Sequence, residues 1–149
     1  HLGQVLVASG DAYIIDFEGE PARPLAERRA KMSPLVDVAG LMRSLDYAVA
    51  TTLDPRTPTS APLPEATRSK FVKRLRDGAQ DAFLEAYRAG AAGLPGFDNS
   101  ELLNFFILEK AAYELVYEAS NRPAWLSIPL HGLHRLMGRI LGEETRSPG

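Results

Sequence analysis

Apolar side chains recur at helical spacing along most of the chain and follow a strand-like pattern only near its beginning. Four long segments show the helical period, at about 34–53, 65–91, 100–120 and 128–141. Two short β-prone runs, Gln4–Ser9 and Ala12–Phe17, flank the turn signal Ser9-Gly10-Asp11, which predicts a β-hairpin. We therefore predict an α+β fold that is mainly α, with an N-terminal hairpin followed by about four main helices.

The helix boundaries and core faces follow from the same pattern. Ser33 is a good capping residue, and Pro34 suits the first position of a helix. Asn99 or Ser100 is a second capping candidate, and the prolines within residues 54–65 predict a surface loop. The side chains predicted to face the core are Leu35, Val38, Ala39, Met42, Leu45 and Ala48 or Val49 in the first helix, Phe71, Leu75, Ala79, Ala82, Phe83, Ala86 and Tyr87 in the second, and Leu130, Leu133, Met137, Ile140 and Leu141 in the last.

The third helix has two faces of different chemistry. We expect a narrow apolar stripe to face the core, formed by Leu108, Ala112, Leu115 and Ala119. The opposite face collects Lys110, Tyr113, Glu114, Tyr117 and Asn121. Because aromatic rings stack on the apolar faces of sugars and polar groups bind the hydroxyls, this face is a candidate sugar-binding surface. The alternatives are a solvated face with pairs such as Lys110 and Glu114, or tyrosines packed against a neighbouring helix.

Composition narrows the class of protein. The 149 residues are enough for one domain, and 45% hydrophobic with 24% charged residues is typical of a globular chain. The net charge of −2 gives no support to a nucleic-acid or anionic-membrane partner. No cysteine is present, which excludes disulfides and thiolate metal sites, and no apolar run has the length of a membrane span. We expect a cytoplasmic protein.

The most informative stretch is Ile14-Ile15-Asp16-Phe17-Glu18-Gly19-Glu20-Pro21. The two isoleucines are typical of the end of a buried strand, which would place Asp16 at the mouth of that strand. Gly19 permits a sharp turn, and Pro21 prevents further strand pairing. A carboxylate in such a position commonly holds Mg²⁺ against phosphate oxygens, although an Asp that only caps a turn has the same local pattern.

Three other features carry less weight. His131 and His134 have the spacing of metal ligands on one helix, but no acidic third ligand lies nearby in the sequence. Trp125 follows a turn broken by proline, and we expect it to fill space between helices. The basic cluster within residues 28–31 has no interleaved aromatic residues, so it is typical of a solvated face or of phosphate or carboxylate contacts.

Several motifs together resemble one kinase family. His1-Leu2-Gly3-Gln4, a strand, and then Asp16-Phe17-Glu18-Gly19-Glu20-Pro21 are similar to the catalytic segment of the aminoglycoside-phosphotransferase-like kinases. Residues 31–40 and 43–48 are similar to one branch of that family, the bacterial maltokinases. The segment 108–114, followed by Tyr117-Glu118 and Asn121-Arg122-Pro123-Ala124-Trp125, makes the resemblance specific to this branch. The resemblance spans residues 1 to about 141 and implies the C-terminal lobe of a protein-kinase-like fold. Val36 departs from the pattern, which has arginine at this position.

The resemblance implies a reaction and a set of metal ligands. The reaction is phosphorylation of maltose by ATP to maltose 1-phosphate, which feeds α-glucan synthesis of the glycogen type, with Mg²⁺ as the cofactor. Asp16 takes the place of the principal Mg²⁺ ligand, which bridges the β- and γ-phosphates. Gln4 takes the place of a metal-binding Asn in related kinases, and Glu18 supports the metal or orients a water.

Other roles follow from the same matched positions. His1 belongs to the catalytic loop and shapes it, and Asp37 anchors that loop from the first turn of its helix. The sugar lies over the helical lobe, against Lys110, Tyr113, Glu114, Tyr117 and Asn121.

The chain is expected to be a single partial domain over residues 1–149, because residue 1 is His and the first residues already have a strand pattern. In the family, the catalytic Asp precedes His1 by two residues and a nucleotide-binding lobe precedes both, so we expect these residues alone to be inactive. A fused or associated trehalose synthase is the partner that the resemblance implies. The alternatives are a kinase of the same fold that acts on another sugar or an aminoglycoside, or a non-catalytic binding or scaffold domain.

Overall fold

The computed structural model describes residues 1–17, 19, 24–53 and 64–141, with only the backbone of Arg139. These residues form the strands β1 (Val5–Ala8) and β2 (Asp11–Ile14) and the helices α1 (Leu25–Arg28), α2 (Leu35–Leu53), α3 (Glu65–Gly90), α4 (Ser100–Asn121) and α5 (Ser127–Leu141). Short 3-10 turns cover Leu2–Gln4 and Pro123–Trp125. The predicted class, α+β and mainly α with an N-terminal hairpin, is confirmed, whereas the kinase-like character of the lobe stays a prediction. None of the helices described is both long and apolar enough to cross a lipid bilayer.

The hairpin pairs β1 with β2 in antiparallel register, with Val5 opposite Ile14 and Ala8 opposite Asp11. Its turn residues Ser9 and Gly10 have φ angles of 53° and 88°, the left-handed conformation that matches the twist of the strands. The prediction that the isoleucines end a buried strand is wrong. Ile14 is 64% exposed and Ile15 42%, because both faces of this two-stranded sheet are open in the described part of the chain.

Both predicted helix starts are confirmed by their capping hydrogen bonds. The backbone N–H of Leu35 donates to Oγ of Ser33 at 3.3 Å, and the backbone N–H of Leu102 donates to Oδ1 of Asn99 at 2.9 Å. Positions 54–63 of the predicted loop lie outside the described residues. Helix α3 begins at Glu65.

The core forms where α2 packs against α3 and α4, with α5 closing one side. Its buried side chains are Leu35, Val38, Ala39, Met42, Leu103, Ile107 and Leu136. The core face predicted for α2 is thereby confirmed at its first four positions. In α3 the prediction holds for Phe83 and Tyr87, which pack on the core, and fails for Phe71 and Leu75, which are 62% and 61% exposed.

The core faces predicted for α4 and α5 are wrong. In α4 the buried positions are Leu103, Ile107, Ala111 and Glu118, whereas Leu108, Ala112 and Ala119 are exposed. Of the described side chains of α5, Pro129 and Leu136 are buried and Leu133 is half-buried, whereas Leu130, Met137, Ile140 and Leu141 are exposed. Apolar residues surround both helices, so periodicity alone does not select one face. In α4 the face that packs also contains carboxylates, which a count of apolar positions rejects.

Candidate functional site

The structure brings the two predicted metal ligands together at the base of the hairpin. Nε2 of Gln4 donates to Oδ2 of Asp16 at 2.6 Å, and the backbone nitrogen of His1 donates to Oε1 of Gln4 at 2.8 Å. The backbone also joins these segments, since the N–H of Ile15 donates to the carbonyl oxygen of Gln4 at 2.9 Å. Asp16 has a φ of 67°, so the chain bends sharply at this carboxylate.

The chemistry of this pair fits a Mg²⁺ site. Both groups offer oxygen, the ligand atom that Mg²⁺ prefers, and a rotation of the Gln4 amide by half a turn directs its oxygen toward Asp16. Within the described residues, no three His, Cys, Asp or Glu side chains gather as a metal site. The pair would therefore hold the ion together with water or phosphate oxygens, as Mg²⁺ usually requires. Glu18 lies outside the described residues.

The segment that carries Gln4 is attached to α2. The backbone N–H of Leu2 donates to Oγ of Ser44 at 2.8 Å. Asp37, which the resemblance assigns to anchoring the loop, is exposed in the first turn of α2 and makes no hydrogen bond to the described part of that segment. Ser44 therefore anchors this segment to α2, a role that was not predicted from the sequence.

An exposed aromatic and cationic face runs along α4, as predicted. The rings of Tyr113 and Tyr117 stack with their centroids 6.4 Å apart, and they are 46% and 44% exposed. Nζ of Lys110 lies 5.2 Å from the Tyr113 centroid, and the guanidinium carbon of Arg122 lies 5.4 Å from that of Tyr117. Asn121 is exposed at the end of the face, where its amide donates to the carbonyl oxygen of Tyr117 at 2.9 Å. Arg122 also belongs to this face, although it was not among the residues predicted for it.

Glu114 does not share this exposed face. Its carboxylate is only 12% exposed and accepts hydrogen bonds from Nε and Nη2 of Arg43 at 2.9 and 2.6 Å, which turn it toward α2. Burial raises the pKa of Glu114, and the charge of Arg43 opposes that rise. The prediction that Glu114 lies on the exposed sugar face is therefore wrong. Glu114 lies beneath this face, on the side that packs against α2.

A buried ionic network joins α2 to the other helices. Arg43 is 1% exposed and donates from Nη1 to Asp46 at 2.8 Å as well as to Glu114. Asp46 also accepts a hydrogen bond from Arg135 of α5, and Nη1 of Arg76 of α3 lies 3.8 Å from it. These contacts pair opposite charges, which is the condition for burying them.

A second buried carboxylate lies one turn further along α4. Oε1 of Glu118 accepts from the hydroxyl of Tyr47 at 3.0 Å and from Nη2 of Arg122 at 2.6 Å. Burial and the nearby carboxylates of Glu114 and Glu118 raise the pKa of Tyr47, so its hydroxyl stays protonated and donates. The Tyr47 ring stacks on Trp125 at 6.3 Å, which places this tryptophan between helices as predicted.

Arg43, Asp46 and Glu118 were not predicted as site residues, because charged residues at core positions resemble surface residues in the sequence. The sequence contains one indication of these contacts. Helix α2 carries a cation, Arg43, and α4 carries two carboxylates four positions apart, Glu114 and Glu118. Such a pattern indicates facing partners only after the helices are known to pack together.

The exposed α4 face and the Asp16–Gln4 pair agree with the class of sugar kinases, and sequence comparison points the same way. No protein-family model matches the chain. The chain is 33% identical over 131 residues to a protein named glucosamine kinase from Streptacidiphilus jiangxiensis, covering 87% of this chain and 28% of that protein. It is 31% identical over 140 residues to another protein named glucosamine kinase, from Mycolicibacterium smegmatis, covering 92% of this chain and 33% of that protein.

The chain thus spans about a third of the length of the curated relatives it matches. Both relatives are named as sugar kinases, the class that the motifs indicated, and neither is named as a maltokinase.

Proposed function

We propose that this chain is part of an ATP-dependent kinase that phosphorylates a sugar hydroxyl. The observation that carries the proposal is the Asp16–Gln4 pair, which lies within a kinase-like motif in a chain similar to proteins named glucosamine kinase. Glucosamine is the first candidate acceptor because of that similarity. ATP is the phosphoryl donor and Mg²⁺ the cofactor.

The residues of this chain perform the positioning that phosphoryl transfer needs. Asp16 and Gln4 would hold Mg²⁺, which would supply positive charge to the phosphate oxygens. The backbone contacts of Leu2 and Ile15 keep both ligands in one place, so little reorganisation is needed as charge develops. Tyr113, Tyr117 and Lys110 orient the sugar, with stacking on its rings and a hydrogen-bond donor for its hydroxyls.

Maltose is the second candidate acceptor, and the shape and charge of the α4 face favour it. Two stacked tyrosines suit two sugar rings, and the cations nearby are Lys110 and Arg122. Arg122 is paired with Glu118 at 2.6 Å, so Lys110 is the cation that repels the ammonium group of glucosamine but not a neutral disaccharide. The motif resemblance to maltokinases supports the same acceptor.

A substrate panel tests the proposal. ATP consumption by the whole protein with Mg²⁺ is measured with glucosamine, maltose, glucose and an aminoglycoside such as kanamycin. Turnover that needs one of the three sugars supports a sugar kinase and names its acceptor. Turnover with kanamycin alone favours an aminoglycoside kinase of the same fold. If none of the four compounds stimulates ATP consumption, the proposed activity is wrong and the chain belongs to a binding or scaffold protein.

A further inference from the structure

A groove of about 820 Å³ opens where the last turns of α2, the first turns of α3 and the beginning of α5 diverge. Its described walls come from residues 46–53, 65–76 and 124–135. Its volume lies within the range of small-molecule sites. None of its lining residues is among those assigned above to Mg²⁺ or to the sugar.

The described walls of the groove carry an excess of positive charge. Four cationic side chains line it, Arg68, Lys73, Arg76 and Arg135, against the two carboxylates of Asp46 and Glu65. Asp46 is already engaged by Arg43 at 2.8 Å and by Arg135, and Arg76 is paired with Asp77 at 2.6 Å. The positive charge that faces a ligand is therefore mainly that of Arg68 and Lys73. The excess is local, since the whole chain has a net charge of −2.

Arg68 supplies an independent sign of a missing partner. Its Nε is buried and has no hydrogen-bond partner among the described residues. Buried donors in folded proteins are nearly always satisfied, because leaving one unpaired costs free energy. Lys73, five residues further along α3, lines the same groove and is exposed. Two donors on this wall are thus available to an anion.

We propose that this groove binds a ligand that carries a phosphate group. Arginine and lysine side chains on two walls suit the doubly charged, multiply accepting phosphate better than a single carboxylate. Trp125 lines the third wall and is half-buried; the part of its ring that Tyr47 and Arg122 leave uncovered adds apolar surface for the ring of a sugar. The ligand is therefore a sugar phosphate; the sugar part rests on the proposed function, and the phosphate part does not.

The test is calorimetric titration of the whole protein, without ATP and at fixed ionic strength, with glucosamine 6-phosphate, inorganic phosphate and glucosamine as separate probes. The groove variant is Arg68→Gln with Lys73→Gln. The matched control is Lys70→Gln with Arg74→Gln, which removes the same charge from exposed positions of α3 that do not line the groove. Losing two charge-assisted contacts is expected to weaken glucosamine 6-phosphate binding by roughly tenfold or more in the groove variant. The control is expected to change binding by about twofold or less, because exposed charges are screened.

The probes separate the sources of the phosphate. If inorganic phosphate binds more weakly than glucosamine 6-phosphate, the ligand of the groove is a sugar phosphate. If the two bind equally, the groove binds the phosphate group alone, and Trp125 has no role in binding a sugar. No binding of either phosphate to the unmodified protein overturns the proposal, as does an equal loss in the groove and control variants. Because the titration contains no ATP, a failed kinase assay does not affect its outcome.

Discussion

Arg43 is buried to 1% exposure in a helix whose neighbouring positions form the apolar core. Its guanidinium donates three hydrogen bonds, two to Glu114 and one to Asp46, and α5 passes directly over it at Gly132. A Cβ at position 132 would lie 1.9 Å from Nη1 of Arg43 and 2.8 Å from its Cζ. The close approach of α5 to α2 therefore requires glycine at this position.

Gly132→Ala is expected to lower the free energy of unfolding by about 1–3 kcal/mol, since Arg43 is held by its partners and has no room to move away. Urea unfolding of the whole protein measures it. The control is Gly78→Ala in α3, where nothing lies within 4 Å of the added Cβ. That change is expected to stabilise the helix by about 0.5–1 kcal/mol. If both substitutions stabilise the protein equally, the packing of α5 over Arg43 is not as described.

Tyr117→Ala tests the exposed face of α4 at a single residue. The lost stacking contact is worth on the order of 1 kcal/mol, so KM for the sugar is expected to rise roughly five- to tenfold while KM for ATP stays nearly unchanged. Because the ring is 44% exposed, the free energy of unfolding should fall by about 1 kcal/mol or less. Steady-state kinetics and thermal unfolding of the whole protein measure both quantities.

Val116→Ala is the control for Tyr117→Ala, since Val116 is the preceding residue and is 67% exposed. It should leave both KM values unchanged. A large loss of stability in Tyr117→Ala with an unchanged KM for the sugar would remove the sugar-binding role of this face.

At the scale of elements, α5 shows how tertiary contacts select one face of a helix. Its apolar residues allow more than one packing side, but Gly132 and Leu136, four residues apart on one face, are the buried pair on the side that packs against α2 and α4. Leu136 is completely buried, whereas the adjacent Met137, on another side of the helix, is 45% exposed. The core side of α5 is therefore set by where the helix can approach Arg43.

Leu136→Ala is expected to cost about 2–5 kcal/mol of stability, because it opens a cavity in the core. Ile140→Ala removes a similar side chain from the surface and is expected to cost about 1 kcal/mol or less. Chemical denaturation of the two variants compares them directly. Equal losses, or a larger loss for Ile140→Ala, would contradict the complete burial of Leu136.

At the scale of the whole molecule, α2 connects the two candidate regions. Ser44 binds the backbone of Leu2 beside the Asp16–Gln4 pair, and the adjacent Arg43 binds Glu114 beneath the α4 face. Neighbouring residues on one helix thus support the proposed metal ligands and the proposed sugar surface. This arrangement gives both regions a common, rigid support, which a reaction that depends on positioning needs.

In the whole protein, Asp16→Asn is expected to reduce ATP-dependent sugar phosphorylation by roughly 10²–10³-fold, because it removes the charge that holds Mg²⁺. Asparagine tolerates the φ of 67° and can still accept the hydrogen bond from Gln4, so the fold should not change. Asp11→Asn, an exposed carboxylate of the same hairpin, is the control and should keep full activity. A near-normal rate for Asp16→Asn would leave Asp16 with only the role of a turn residue.

The sequence by itself determined the features that depend on neighbouring residues: the hairpin turn at Ser9-Gly10, the caps at Ser33 and Asn99, and the apolar face of α2. Its motifs also pointed to Asp16 and Gln4, and the structure brings these two together.

Only the tertiary structure decided which side of α4 and α5 faces the core, and that Glu114 and Glu118 lie inside while Tyr113 and Tyr117 lie outside. The reason is that burying a charge depends on its partner. Arg43 and Tyr47 of α2 meet these carboxylates across a separation of 71 residues, which no local periodicity reports.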